Sequence, residues 1–204
     1  MRLVRLEFEP PPVELSTRVA SLLDDADGRI ERLQHDRRDC PIAAFVPSDF
    51  ALAYHALDRI DELGLAPGRR FLEWGSGAGV VTCLAAMLGW DAVGIEIEDP
   101  LVDIAEAIAD DHEVQAEFVR GTFVPEDSQA DLTDQRDINW LRTDGVDAYE
   151  WLGLEPDDFD VVFAYPWPGE EQIIFDLFCD SGAVGALLLT YHGQEGIALH
   201  RKVR

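Results

Sequence analysis

Lysine is nearly missing from this sequence. Of 16 basic residues only Lys202 is a lysine, and arginine supplies the rest. Positive charge of any kind is scarce: 41 acidic residues leave a formal net charge of −25. A surface of that sign repels phosphate backbones, so nucleic acid is not expected as a partner, whereas an amine or a basic protein segment would be attracted. Adaptation to salt, or simple solubility, is the plainer account of the same charge. Cysteine is also scarce. Cys40, Cys83 and Cys179 are odd in number and far apart, which excludes a disulfide framework and a CxxC metal pair. Read as isolated residues, they are small buried or half-buried thiols. The histidines at 35, 55, 112, 192 and 200 have no metal-ligand spacing, so no metal site is expected. No apolar run reaches the roughly 18 to 20 residues that span a bilayer. The opening MRLVRLEFEPPP lacks the continuous apolar stretch of a secretory signal. The expectation is a cytoplasmic protein with no membrane contact. Internal repeats and low-complexity tracts are absent as well.

What remains is material for one core. The chain has 204 residues, 47% of them hydrophobic, and a mean hydropathy of −0.07. That is enough to bury a single globular domain and too apolar for a disordered chain at this charge. Val4, Leu6 and Phe8 alternate with polar residues as a short strand that Pro10, Pro11 and Pro12 end. A helix from about Glu14 to Arg37 follows, which Gly28 would divide. We read residues 1–45 as an N-terminal strand and helix extension, and 46–204 as the main domain. A second helix begins near Ser48, a suitable N-cap, and ends at Gly64.

From there strand and helix alternate. RRFLEW, DAVGIEI, AEFVRG, FDVVFAYP and GALLLTYH read as strands. Between them VVTCLAAMLG, DPLVDIAEAIADDH, VDAYEWLGL and GEEQIIFDLFCDSG read as helices. Pro100 suits the first turn of its helix, where its missing N–H would be unpaired anyway. The acidic stretch over residues 125–139 has no periodicity and reads as an exposed insertion. IALHRKV is a last strand, antiparallel to the fifth. The pattern predicts an α/β fold: a doubly wound, mostly parallel sheet with helices on both faces. Ligands of such sheets lie beyond the carboxyl ends of the strands, at the switch point.

The informative turn is Glu73-Trp74-Gly75-Ser76-Gly77-Ala78-Gly79, after the first core strand. Three glycines at alternate positions remove three Cβ atoms, so the backbone can bend tightly and a ligand can lie against it. The next helix points its free N–H groups at the same place. Glu73, two residues before the first glycine, would repel a pyrophosphate and favour an ammonium group, which turns the reading away from a nicotinamide dinucleotide. At the end of the second strand Glu96 lies about 20 residues past the glycines, where a ribose diol can donate to one carboxylate. Ile97 would lie against an adenine face.

With FLEWGSGAG and VGIEIEDP in place, the sequence resembles the class I, Rossmann-like S-adenosylmethionine-dependent methyltransferases. The resemblance runs loosely from about Val46 to His192. It implies that Gly75, Gly77 and Gly79, with Ser76 among them, cradle the methionine and ribose portions of S-adenosylmethionine. Glu73 would hold the methionine end through water and Glu96 the ribose hydroxyls. The family often has Gly-Asp near the adenine, and here Gly121-Thr122-Phe123 stands in that place without the acid. Adenine recognition then falls to backbone groups or to the insertion. Phe45-Val46-Pro47-Ser48 resembles the lead-in that closes over the cofactor in some members.

After the fourth strand several amino-methylating groups carry Asn/Asp-Pro-Pro-aromatic. Here Tyr165-Pro166-Trp167-Pro168 fills the slot, a rigid turn with two aromatics able to pack around a cationic or aromatic acceptor. Glu170 and Glu171 follow and could attract an amine, or serve only as first-turn helix acids. His192, at the end of the fifth strand, is a candidate base for a hydroxyl acceptor. The C-terminal end is shorter than the resemblance implies, leaving a sheet that is truncated or that a partner completes. The function expected is methyl transfer to a protein side chain or a small amine or metabolite. The alternatives are a non-catalytic sensor or partner subunit that binds the same cofactor and, less well supported, an NAD-dependent oxidoreductase.

Overall fold

A computed structural model describes residues 1–42, 45–125, 128 and 145–204. The acidic stretch therefore lies, but for residues 125 and 128, outside the described residues. Seven strands form one sheet: β1 (Arg2–Arg5), β2 (Arg70–Trp74), β3 (Asp91–Glu96), β4 (Ala116–Arg120), β5 (Val161–Ala164), β6 (Leu187–Tyr191) and β7 (Ile197–Val203). Their spatial order is β1-β7-β6-β5-β2-β3-β4. The pairs among β2 to β6 are parallel, and β7 is antiparallel to both β6 and β1. Chain order reverses between β2 and β5, which makes their carboxyl ends the switch point.

The helices are α1 (Thr17–Asp36), α2 (Phe50–Glu62), α3 (Val80–Met87), α4 (Asp99–Asp111), α5 (Ala148–Leu152) and α6 (Glu171–Ser181). β2 shows how the layers are built. Its alternate residues Phe71 and Glu73 face α2 and α3, while Leu72 and Trp74 face α5 and α6, and all four are buried. On the first face Leu57 and Ile60 of α2 meet Val81 and Ala85 of α3 over Phe71, Phe163 and Leu189. On the second, Tyr149, Leu177 and Phe178 cover Leu72, Val93 and Leu188. α1 forms an outer layer, with Val19, Leu22, Ala26 and Ile30 packed on Val80 and Leu84 of α3 and Ile108 of α4. Among the described residues no helix is long and apolar enough to cross a membrane.

Several boundaries differ from the sequence reading. α1 is continuous, because Gly28 lies within it and costs a helix only propensity. Asp49, not Ser48, caps α2: its Oδ1 accepts from the Leu52 N–H at 2.9 Å. β1 stops at Arg5, although Leu6 N still donates to Leu199 O at 2.9 Å. The sheet beyond β7 is completed by β1 of the same chain rather than by a partner. Lys202 is 1% exposed, and its ammonium donates to the carbonyls of Gly182 (2.5 Å) and Asp180 (3.4 Å) at the end of α6. The described surface therefore has no lysine at all.

Candidate functional site

A cavity of about 420 Å³ opens at the carboxyl ends of β2, β3 and β5. Its walls include Glu73, Gly75, Ser76, Gly77, Glu96, Ile97, Thr122, Phe123, Tyr165 and Trp167, so ten of the residues singled out from the sequence come together. Gly79 and His192 do not belong to the wall.

The three glycines are needed for three different reasons. All have left-handed backbones, with φ of 69°, 55° and 71° at 75, 77 and 79. A Cβ on Gly75 would meet nothing nearer than Phe123, at 4.0 Å, so that position faces open space in the cavity. On Gly77 it would lie 3.0 Å from the ring of Phe45, which reaches over the turn from the lead-in. On Gly79 it would overlap the Phe118 ring and the Ala105 methyl group. Gly79 is thus a packing glycine at the start of α3, which corrects its expected place in the ligand cradle. Gly94 is similar and was passed over in the sequence: a Cβ there would stand 2.8 Å from both Ser76 and Thr82.

The two acids are held from opposite sides of this turn. Glu73 accepts from the N–H (2.8 Å) and hydroxyl (2.5 Å) of Thr82, which fastens the first turn of α3 to β2. It is 5% exposed, and burial pushes its pKa up to about 8, against the Thr82 hydrogen bonds. Glu96 Oε2 accepts from the Gly77 N–H at 2.8 Å, while Oε1 accepts from Ile97 and Glu98 N–H at 2.8 and 2.9 Å. Burial raises its pKa too, opposed by those backbone hydrogen bonds. A carboxylate has about four lone-pair sites, so three donors leave Glu96 with acceptor capacity towards the cavity. The hydroxyl of Ser76 is buried with no hydrogen-bond partner among the described residues.

Aromatic groups line the rest. Trp74 stacks on Phe123 at 5.3 Å with 10° between the planes, and its indole N–H donates to the Tyr149 hydroxyl at 2.9 Å. That link between β2 and α5 has no local signal in the sequence, since its two residues lie 75 positions apart. Tyr165 meets Tyr191 edge to face at 4.7 Å. Trp167 and Glu170 clasp each other: Trp167 N donates to Glu170 Oε2 at 3.3 Å, and Glu170 N to Trp167 O at 2.8 Å. Gly169 N donates to Glu171 Oε2 at 2.8 Å. The proline-flanked turn is therefore pinned from inside α6, and both glutamates act on backbone.

His192 stands outside the wall and shares a 2.8 Å hydrogen bond between its Nε2 and Thr190 Oγ1. Burial lowers its pKa. This placement corrects its assignment as a base at the cavity. Among the described residues the titratable groups of the wall are acids, Glu73, Glu96, Glu98 and Glu170, with no lysine, arginine or histidine. Among the described residues no group of acids, histidines and cysteines is arranged to hold a metal ion.

No protein-family model matches the chain, and no curated protein is similar enough in sequence to count as a relative. Solved structures are similar in fold. A methyltransferase from Geobacter sulfurreducens matches with a TM-score of 0.52 at 14% identity, over 95% of this chain and 100% of that one. A hypothetical protein of Thermus thermophilus matches with a TM-score of 0.52 at 21% identity, over 79% of this chain and 91% of that one. An RNA methyltransferase from Salinibacter ruber, in complex with S-adenosyl-L-homocysteine, matches with a TM-score of 0.47 at 22% identity, over 72% and 88%. The fold is the Rossmann-like α/β fold of class I S-adenosylmethionine-dependent methyltransferases. The exclusion of nucleic acid as a partner, expected from the sequence, does not stand. Its physical basis was also too thin, because net charge sums the whole surface and does not describe the field where an acceptor would arrive.

Proposed function

We propose that the protein is an S-adenosylmethionine-dependent methyltransferase with its cofactor in the cavity over the glycine turn. One observation carries the reading: a bend with three alternate glycines, flanked by two buried glutamates from neighbouring strands, in a cavity whose described walls hold no basic side chain. A pyrophosphate would be repelled there, whereas a ligand with an ammonium and a sulfonium group is complementary to such a wall. The volume lies within the range of small-molecule sites, roughly 300 to 1,000 Å³.

When bound, S-adenosylmethionine supplies an electrophilic methyl group, so the protein's task is largely one of positioning. Glu96 would accept from ribose hydroxyls, and Glu73 would face the ammonium end. Ile97, Thr122 and Phe123 would enclose the base. Tyr165 and Trp167, fixed by the proline turn and its glutamate clasps, would bound the acceptor's approach.

Calorimetric titration with S-adenosylhomocysteine tests the cofactor site. Binding is expected, and Glu96→Ala should weaken it by at least tenfold, about 1.4 kcal/mol. No heat at millimolar ligand would sink the reading. Transfer of a labelled methyl group to cell extract, fractionated into RNA, DNA, protein and small molecules, then finds the acceptor class. The altered turn at Tyr165, which lacks the amide or carboxylate of the amino-methylating groups, motivates the alternative of a cofactor-binding sensor. A sensor would bind the ligand and label no fraction.

A further inference from the structure

Among the described residues the cavity wall holds no basic side chain, yet three basic groups converge beside it on the same sheet. Arg5 and His200 are direct cross-strand partners in the β1–β7 pair. His192 follows β6, and its N–H donates to Gly196 O at 2.8 Å in the turn into β7. The His200 ring packs on Phe175 of α6 at 4.9 Å, and its buried Nδ1 has no hydrogen-bond partner among the described residues. None of the three makes an ion pair among the described residues. In a chain with 41 acids and 16 bases such a cluster runs against the composition.

The surrounding charges are divided. Glu171 of α6 and Glu195 of the β6–β7 turn act on His192, as does Arg5. On His200 only Arg5 and His192 act, both disfavouring its protonated form beyond the effect of burial. Carboxylates thus act on His192, and none is among the groups that act on His200.

We propose that Arg5 and His200, with His192 beside them, form a binding notch for a phosphate-sized oxyanion. The guanidinium presents a planar fork of N–H donors that matches such an anion in two contacts. The buried His200 nitrogen, which no described group satisfies, would gain a partner. Arg5, His192 and His200 do not line the cavity, and Tyr191, next to His192, meets Tyr165 of the cavity wall edge to face. The notch would hold an anion whether or not the cavity holds a cofactor.

The test follows the histidine ring resonances by NMR between about pH 5 and about pH 8, in inorganic phosphate and in chloride of equal ionic strength. His200→Gln and His192→Gln assign the two signals. Phosphate should raise the His200 midpoint by about half a pH unit or more, because a bound anion favours the charged ring. His35, His55 and His112 should not move, and Arg5→Gln, at an exposed position, should abolish the rise. Identical curves in the two salts would overturn the notch. So would a rise that persists in Arg5→Gln, or an equal shift of all five histidines, which is the mark of an adventitious ion only.

Discussion

At the scale of single residues, Glu73 carries most of the tension in the site. It is buried beside the turn, and its pKa is raised from an ordinary carboxylate value to about 8. Between the unfolded and folded values the native protein keeps a proton that the unfolded chain releases. The contribution of Glu73 to stability is therefore fully present below about pH 4.5, is lost as pH rises towards 8, and is constant above it. Glu73→Gln removes that slope, and at pH 8 the ligand-free variant should melt higher by about 5 °C. The same variant should bind S-adenosylhomocysteine less tightly at pH 8, since the ammonium group then loses a carboxylate. Thermal scans across pH and titration calorimetry check the two halves. A variant that melts with the parent's pH slope would show that Glu73 is ionised in the fold. Gly75 and Gly79 give a second contrast. Gly79→Ala meets both a left-handed backbone and two overlapping neighbours, and should cost about 3 kcal/mol or more of stability. Gly75→Ala meets only the backbone penalty, about 1 kcal/mol, with its methyl projecting into the cavity. Urea unfolding should separate the two, while ligand affinity should suffer in the folded Gly75→Ala variant.

At the scale of elements, what matters is how the strand ends are braced. The end of β2 is tied in opposite directions, Glu73 to α3 and Trp74 to α5. Neither tie is local in sequence, for Trp74 and Tyr149 lie 75 residues apart. Tyr149→Phe leaves the indole N–H buried without its acceptor, at a cost of about 1 to 3 kcal/mol. Because Trp74 stacks on Phe123, the change should also loosen the wall where the base is proposed to lie. The expected readouts are a lower urea midpoint and weaker S-adenosylhomocysteine binding, with a red-shifted tryptophan emission. Unchanged affinity would confine the link to a structural role.

At the scale of the whole molecule, the sheet's last edge is closed by the first strand. β1 pairs along β7 from Arg2↔Val203 to Arg5↔His200. Removing residues 1–8 would bare the far side of β7, a row of unpaired N–H and C=O groups, and exposed edges recruit other chains. The shortened protein should melt lower and elute as larger species with rising concentration in size-exclusion chromatography with light scattering. A monomer of parental stability would show that the strand is dispensable.

The order of strands and helices, the switch point and the glycine turn were legible in the chain itself. Period-two and period-3.6 patterns report which faces are buried, and glycines with flanking acids mark a bend that side chains cannot make. The meeting of Glu73, Glu96, Tyr165 and Trp167 at one cavity follows from the same topology, since all four sit at carboxyl ends of adjoining strands. Tertiary structure alone decided what each residue does there. Gly75 borders open space while Gly79 makes room for Phe118. His192 turns to Thr190 instead of the cavity, and the edge strand comes from β1 of the same chain. These outcomes depend on contacts between residues far apart along the chain, where close packing admits one arrangement among many that the pattern allows.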